Sequence, residues 1–154
     1  MTKWILEKRL MNKILLDTNI LIYALDRRSQ FHKPSRNLLI ADENNCFTTA
    51  KNVSEYLAVV TRLPKNPLTT EVALSAIEAL FEYVTVLHST NSSFILFKEW
   101  LNKLQPTGLR IHDFEIASIG VDHGIKTIAT YNERDFQDIP DLRILIPPAV
   151  PEAE

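Results

Sequence analysis

Five short strand-like runs alternate with longer segments of helical apolar spacing between residues 14 and 147. This alternation limits the fold more than any other feature of the chain. The strand-like runs are ILL (14–16), NCFTT (45–49), VTVLH (84–88), KTIAT (126–130) and LRILIP (142–147). Helices are expected over 18–25, 32–44, 50–63, 69–84, 92–104 and 112–124. In the second, Leu38, Leu39 and Ala41 face inward. In the fourth, Val72, Ile77, Leu80 and Phe81 repeat at helical spacing, with Thr69 or Thr70 as N-cap. Phe94, Phe97 and Trp100 read as core side chains of the fifth. Gly124 is placed to end the sixth as its C′ residue. Strands separated by helices favour a parallel sheet covered on both faces, an α/β chain with ligands beyond the C-terminal strand ends.

The 154 residues suit one domain with one core, and 45% apolar with 23% charged content is ordinary for a globular protein. A formal net charge of −2 gives no overall basic field for nucleic acid, so any such contact needs a local patch or bound cations. The one cysteine, Cys46, cannot form an internal disulfide, which fits a reducing cytoplasm; it reads as a core residue. No apolar run approaches the roughly 18 residues of a membrane span. Residues 1–12 read as an N-terminal extension, 13–147 as the folded domain and 148–154 as a disordered tail.

Four acids fall just after strands or in first turns of helices. Asp17 ends the first strand in KILLDTNIL, Glu55 follows the second strand, Asp113 opens the helix before KTIAT, and Asp135 follows that strand. A parallel sheet can bring these positions to one edge. Asp113, Ala117 and Gly120 share a helical face, and the two small residues allow close packing beneath the acid. Glu55 lies among apolar neighbours, where an unpaired carboxylate is costly. Clustered carboxylates raise one another's pKa, and a divalent cation relieves that conflict. An all-oxygen set suits Mg²⁺ or Mn²⁺. Each acid also has a simpler role: Asp17 and Asp113 as helix caps, Glu55 as a solvated helix residue, Asp135 as a turn residue.

Taken together, ILLDTNILIYAL (14–25), NVSEYLAVVTR (52–62), LRIHDFEIASIGVDHGIKTIATYNERDF (109–136) and IPDLRILIP (139–147) resemble the PIN-domain family, particularly the VapC-like ribonuclease toxins of toxin–antitoxin pairs. The resemblance implies a three-layer α/β/α sandwich around a parallel sheet of strand order 3-2-1-4-5. It implies a cytoplasmic endoribonuclease using one or two Mg²⁺ or Mn²⁺ ions, a metal-activated water attacking the phosphodiester in line. The family's four acids fall on Asp17, Glu55, Asp113 and Asp135, with Asp17 and Asp113 as principal metal ligands. Thr18, Asn19, Thr130 and Asn132 would orient the carboxylates or bound water. An antitoxin protein, an RNA substrate and a homodimer are the implied partners. Phe114 departs from the small residue that many relatives carry after the third acid.

Glu115 and Asp122 have no counterpart in that pattern and read as solvated. Candidate RNA contacts are Arg27, Arg28, Lys33, Arg36, Lys51, Arg62 and Lys65, each equally explained by a solvated surface. His112 adjoins the third acid and could meet a phosphate or simply start a helix. No histidine pair has the spacing of a helical zinc site, and there is no nucleophile elbow, dinucleotide fingerprint or P-loop. Three other readings stand beside the toxin: a receiver-like phosphoacceptor, disfavoured because DTN lacks a second acid two residues on; a PIN-like RNA-processing nuclease; and an inactive PIN-like binding module.

Overall fold

The computed structural model describes residues 2–3 and 11–151. Most of the extension read at 1–12, and residues 152–154 of the tail, lie outside them. The elements run β1 (Asn12–Leu16), α1 (Thr18–Leu25), α2 (His32–Ile40), β2 (Asn44–Thr49), α3 (Ala50–Thr61), α4 (Thr70–Leu80), β3 (Val84–Leu87), α5 (Asn91–Leu104), α6 (Arg110–Asp122), β4 (Thr127–Ala129) and β5 (Arg143–Leu145). A single 3₁₀ turn, Glu133–Asp135, follows β4. The five strands form one all-parallel sheet of order β3-β2-β1-β4-β5.

β1 shows why the sheet needs cover on both sides. Ile14, Leu15 and Leu16 are all buried, and successive side chains leave opposite faces of a strand. Ile14 and Leu16 join a core with Ile20, Leu21, Leu38, Leu39, Tyr56, Val60, Ala73 and Ile77, beneath α1 to α4. Leu15 joins a second core with Trp100, Phe114, Ile116, Ala117, Ile119 and Ile128, beneath α5 and α6. The result is the expected three-layer sandwich in the expected strand order.

Local chemistry sets the helix ends. Thr49 and Asn52 form a reciprocal capping box at the start of α3, and Thr90 with Ser93 does the same for α5. Thr69 caps α4. At the end of α6 the Ile125 N–H donates to the Gly120 carbonyl and the Gly124 N–H to that of Val121, while Gly124 takes φ +77°. That is the Schellman arrangement, and it needs the left-handed conformation that glycine adopts without strain. Gly120 has a different reason to be small: a Cβ there would lie 2.8 Å from Leu15 Cδ2. α6 therefore sits close against β1, which carries Asp17 at its end.

Three packing expectations need correction. α2 stops at Ile40, with Ala41 as its C-cap, because the chain must turn there to feed β2. In α4 the buried stripe is Ala73 and Ile77, while Val72 and Phe81 are exposed. The helix is rotated so that small Ala73 meets the core and its carbonyl accepts from the Tyr56 hydroxyl. In α5 Trp100 is buried as expected but Phe94 is 55% exposed, its ring under the Lys98 ammonium instead of in the core. Among the described residues no helix is long and apolar enough to cross a membrane.

Candidate active site

β1 delivers Asp17 to the C-terminal edge of the sheet. The chain has left the sheet but has not yet entered α1 when it reaches this residue, at φ −72° and ψ 162°. The cap reading of Asp17 is therefore correct as local structure: its Oδ1 accepts from the Thr18 N–H at 2.8 Å. Its Oδ2 accepts from Thr130 Oγ1 at 2.7 Å and Asn19 Nδ2 at 3.2 Å. Asn19 in turn accepts from the Tyr131 N–H, and Thr130 Oγ1 accepts from the Asn132 N–H. β1, α1 and the loop after β4 are thus tied together at one carboxylate. Asn132 takes part through its backbone; its side chain is exposed.

Glu55 lies on the next helix in the layer. It is exposed, contrary to the expectation of apolar surroundings, because Tyr56 and Val60 turn to the core on the other side of α3. It is partnered all the same: Thr18 Oγ1 donates to Glu55 Oε2 at 2.8 Å, and Asn52 Nδ2 donates to Thr18 Oγ1 at 3.0 Å. Asn52 is fully buried and joins the α3 cap to the acid site. It was not singled out from the sequence, although Thr49-x-x-Asn52 after a strand has capping-box spacing.

Asp113 sits in the first turn of α6, and Asp135 ends the 3₁₀ turn after β4. Glu55, Asp113 and Asp135 line one cavity of about 380 Å³ with Lys51, His112, Leu109 and Ile116. Asp17 does not line it but is electrostatically coupled to the acids that do. Burial pushes the Asp17 carboxyl up to about 6 from its ordinary value of 3.8. The Thr130 and Thr18 hydrogen bonds oppose this rise, while Glu55 and Asp135 add to it. Asp113 is pushed up to about 7 by burial first and then by Asp135, Asp17 and Glu55, with Arg110 opposing. Each of the four acids thus appears in a single repulsive field. Among the described residues no group of three or more His, Cys, Asp or Glu side chains is gathered tightly enough to hold an ion as it stands.

Among the described residues Lys51 is the one cation lining this cavity, and its ammonium is bonded to Glu115 of α6. Glu115 is therefore half-buried and paired, not solvated as expected. Asp122 is likewise half-buried and accepts from Thr90 Oγ1 at 2.8 Å, and hydrogen bonds from Ser92 and Thr90 lower its pKa. Of the other basic candidates, Arg27 and Lys33 line a second cavity, Arg28 pairs with Asp26, and Arg36, Arg62 and Lys65 border neither. His112 is exposed at the rim of the acidic cavity. Cys46 is buried, and burial pushes its thiol up to about 12, which removes it as a nucleophile.

The PIN-domain family model matches residues 14–142. The chain belongs to the PIN-domain family. Its matched span carries all four acids of the site and each strand up to the start of β5. Solved structures give the same fold. VapBC2 from Rickettsia felis, bound to a DNA fragment from its promoter, aligns at TM-score 0.67 and 20% identity over 86% of this chain and 97% of the other. VapBC-1 from nontypeable Haemophilus influenzae aligns at 0.65 and 25% identity over 86% and 96%. VapC20 from Mycobacterium tuberculosis, a sarcin–ricin loop cleaving toxin, aligns at 0.63 and 17% identity over 84% and 98%. No curated protein matches the sequence.

Proposed function

We propose that this PIN-domain chain is a divalent-metal-dependent endoribonuclease and the toxin of a toxin–antitoxin pair. The observation that carries this reading is the convergence of Asp17, Glu55, Asp113 and Asp135 on one repulsive field at the strand ends. Carboxylates held near one another at such cost fit a site meant for cations. The donor set is entirely oxygen, which suits Mg²⁺ or Mn²⁺.

Asp17 and Asp113 would be the principal ligands, with Glu55 and Asp135 completing the set directly or through water. One or two bound ions would offset the carboxylate repulsion, polarise a phosphate oxygen and supply a more acidic water. The chain's own contribution is positional. Thr130 and Asn19 fix the Asp17 carboxylate in one orientation, and Thr18, held by Asn52, fixes Glu55. Asp113 and Asp135 line the same cavity as Glu55. The likeness to a sarcin–ricin loop cleaving toxin supports RNA as substrate, and the likeness to VapBC complexes supports an antitoxin partner. A homodimer and a cytoplasmic setting complete the proposal.

The test is cleavage of a structured RNA with Mg²⁺ or Mn²⁺ by wild type, Asp17→Asn and Asp113→Asn, with folding checked by circular dichroism. Wild type should cut, the variants should lose most activity, and a chelator should stop the reaction. Equal cleavage by all three sinks the assignment. For the toxin role, expression of the wild type alone should arrest growth and Asp113→Asn should not.

A further inference from the structure

The segment after β4 borders two cavities of opposite charge. Asp135 lines the acidic one. Tyr131, four residues earlier, lines a second of about 810 Å³ whose walls include Phe31, Arg27, His32 and Lys33. Among the described residues lining it there is no acidic side chain. Arg27 and Lys33 are exposed, and no carboxylate pairs with either among the described residues, whereas neighbouring Arg28 is bound to Asp26. Phe31 and Tyr131 are half-buried with ring centroids 4.4 Å apart, and the Tyr23 ring contacts both at 5.0 and 5.4 Å.

The acidic cavity cannot by itself attract a polyanion. Among the described residues three carboxylates line it, and the one cation that lines it is engaged by Glu115. Apart from bound cations, affinity for RNA needs a local basic patch, which the chain's net charge of −2 does not by itself provide. The second cavity has what is missing: unpaired cations for phosphates beside aromatic rings that any base can meet. It is also joined to the acid site, because the Tyr131 N–H donates to Asn19 Oδ1 and Asn19 Nδ2 donates to Asp17.

We propose that the Phe31–Tyr131 cavity binds one nucleotide of a single-stranded RNA segment, its base against the two rings and its phosphates met by Arg27 and Lys33. The inference rests on the nuclease reading for its purpose, since Tyr131 is linked to Asp17 through the side chain of Asn19. Contact of this kind reads charge and an unstacked base, not sequence.

The experiment measures binding apart from cleavage. A fluorescein-labelled single-stranded RNA octamer is titrated with the full-length chain in EDTA, followed by anisotropy. Arg27→Glu/Lys33→Glu should weaken binding by at least about tenfold at 50 mM salt and flatten the dependence of log K on log salt by about 1.4, the value for two lost single-strand phosphate contacts. Tyr131→Phe should bind like the parent, and Tyr131→Leu about fivefold more weakly. Lys13→Glu/Arg143→Glu changes exposed charges at the other end of the sheet and should leave binding unchanged. Parent and cavity variants binding within twofold of each other overturn the proposal, as does a parent that binds no RNA.

The cavity is also lined by Ala149–Pro151, next to an acidic chain end. If charge reversal spares RNA binding but weakens binding of the peptide PPAVPEAE supplied in trans, the cavity seats the chain's own tail and the RNA proposal falls. Cavity-dependent binding with no cleavage by wild type in Mg²⁺ or Mn²⁺ upholds the cavity and removes only the nuclease reading.

Discussion

Asp17 and Asp113 are two carboxylates in one field, treated oppositely by their surroundings. Asp17 is 6% exposed and accepts hydrogen bonds from Thr18, Asn19 and Thr130. Asp113 is less buried, yet among the described residues no donor bonds to its carboxylate, and Arg110 acts on it only as an opposite charge. Asp113 still ends higher, at about 7 against about 6. The difference teaches that burial alone does not rank acids. Hydrogen bonds to the charged form recover much of what desolvation removes, and a group without them keeps the full effect. One acid is pre-oriented and the other is left free for a ligand to order.

The comparison can be broken most severely at the acids themselves. Asp17→Asn and Asp113→Asn should each lower RNA cleavage by roughly 10³-fold, measured by initial rates at fixed metal. If only one of them does, the paired role is wrong. Thr130→Val should come next, with a loss of roughly 10–100-fold, because Asp17 keeps its charge but loses its shortest side-chain donor. Thr130→Ser should retain most activity, and a Val variant as active as wild type would show that the orientation of Asp17 does not matter.

Glu55 offers a milder perturbation of the same site. Thr18→Val removes the donor to Glu55 but leaves the Thr18 backbone cap on Asp17, so a loss of only about three- to tenfold is expected in the same assay. A loss as large as that of Asp17→Asn would mean that the two acids are held as a single unit.

The smallest effect is on stability, and its sign follows from the raised pKa values. An acid whose folded pKa exceeds its unfolded value favours the fold when protonated. That contribution is complete below about pH 4 and is lost as pH rises through about 6 for Asp17 and about 7 for Asp113. In EDTA the chain should therefore become less stable between about pH 4 and 7, as measured by urea unfolding. Asp113→Asn should reduce that slope and be more stable than wild type at pH 8 by about 1 kcal/mol, after allowance for solvent screening. A wild type whose stability rises across that window would contradict the repulsive field. Mn²⁺ should restore stability to wild type more than to Asp113→Asn.

Much of this was legible along the chain because it is local. β-branched and aliphatic runs mark strands, Gly124 marks the end of a helix, and Thr69 marks a start; each depends on neighbours a few residues away. The small face of Asp113, Ala117 and Gly120 correctly signalled close packing, and Leu15 is what it packs against. Helix rotation was not legible where two apolar faces compete, as Val72 and Phe94 show. A helix with apolar residues on more than one side has no unique inward face until its neighbours are fixed.

The order of strands and helices, the four acids just after strands or on helices, and the resemblance to the PIN-domain family are all readable along the chain. How those acids are held depends on contacts between distant parts of the chain. Thr130 and Asp17 are 113 residues apart and Glu55 and Thr18 are 37 apart, and neither bond has a local signal. The same holds for the Lys51–Glu115 pair and for the separation of an acidic cavity from a basic aromatic one by a few residues after β4. Charge and hydrogen bonding act through space, and a parallel sheet brings distant strand ends together in an order that the linear sequence does not display.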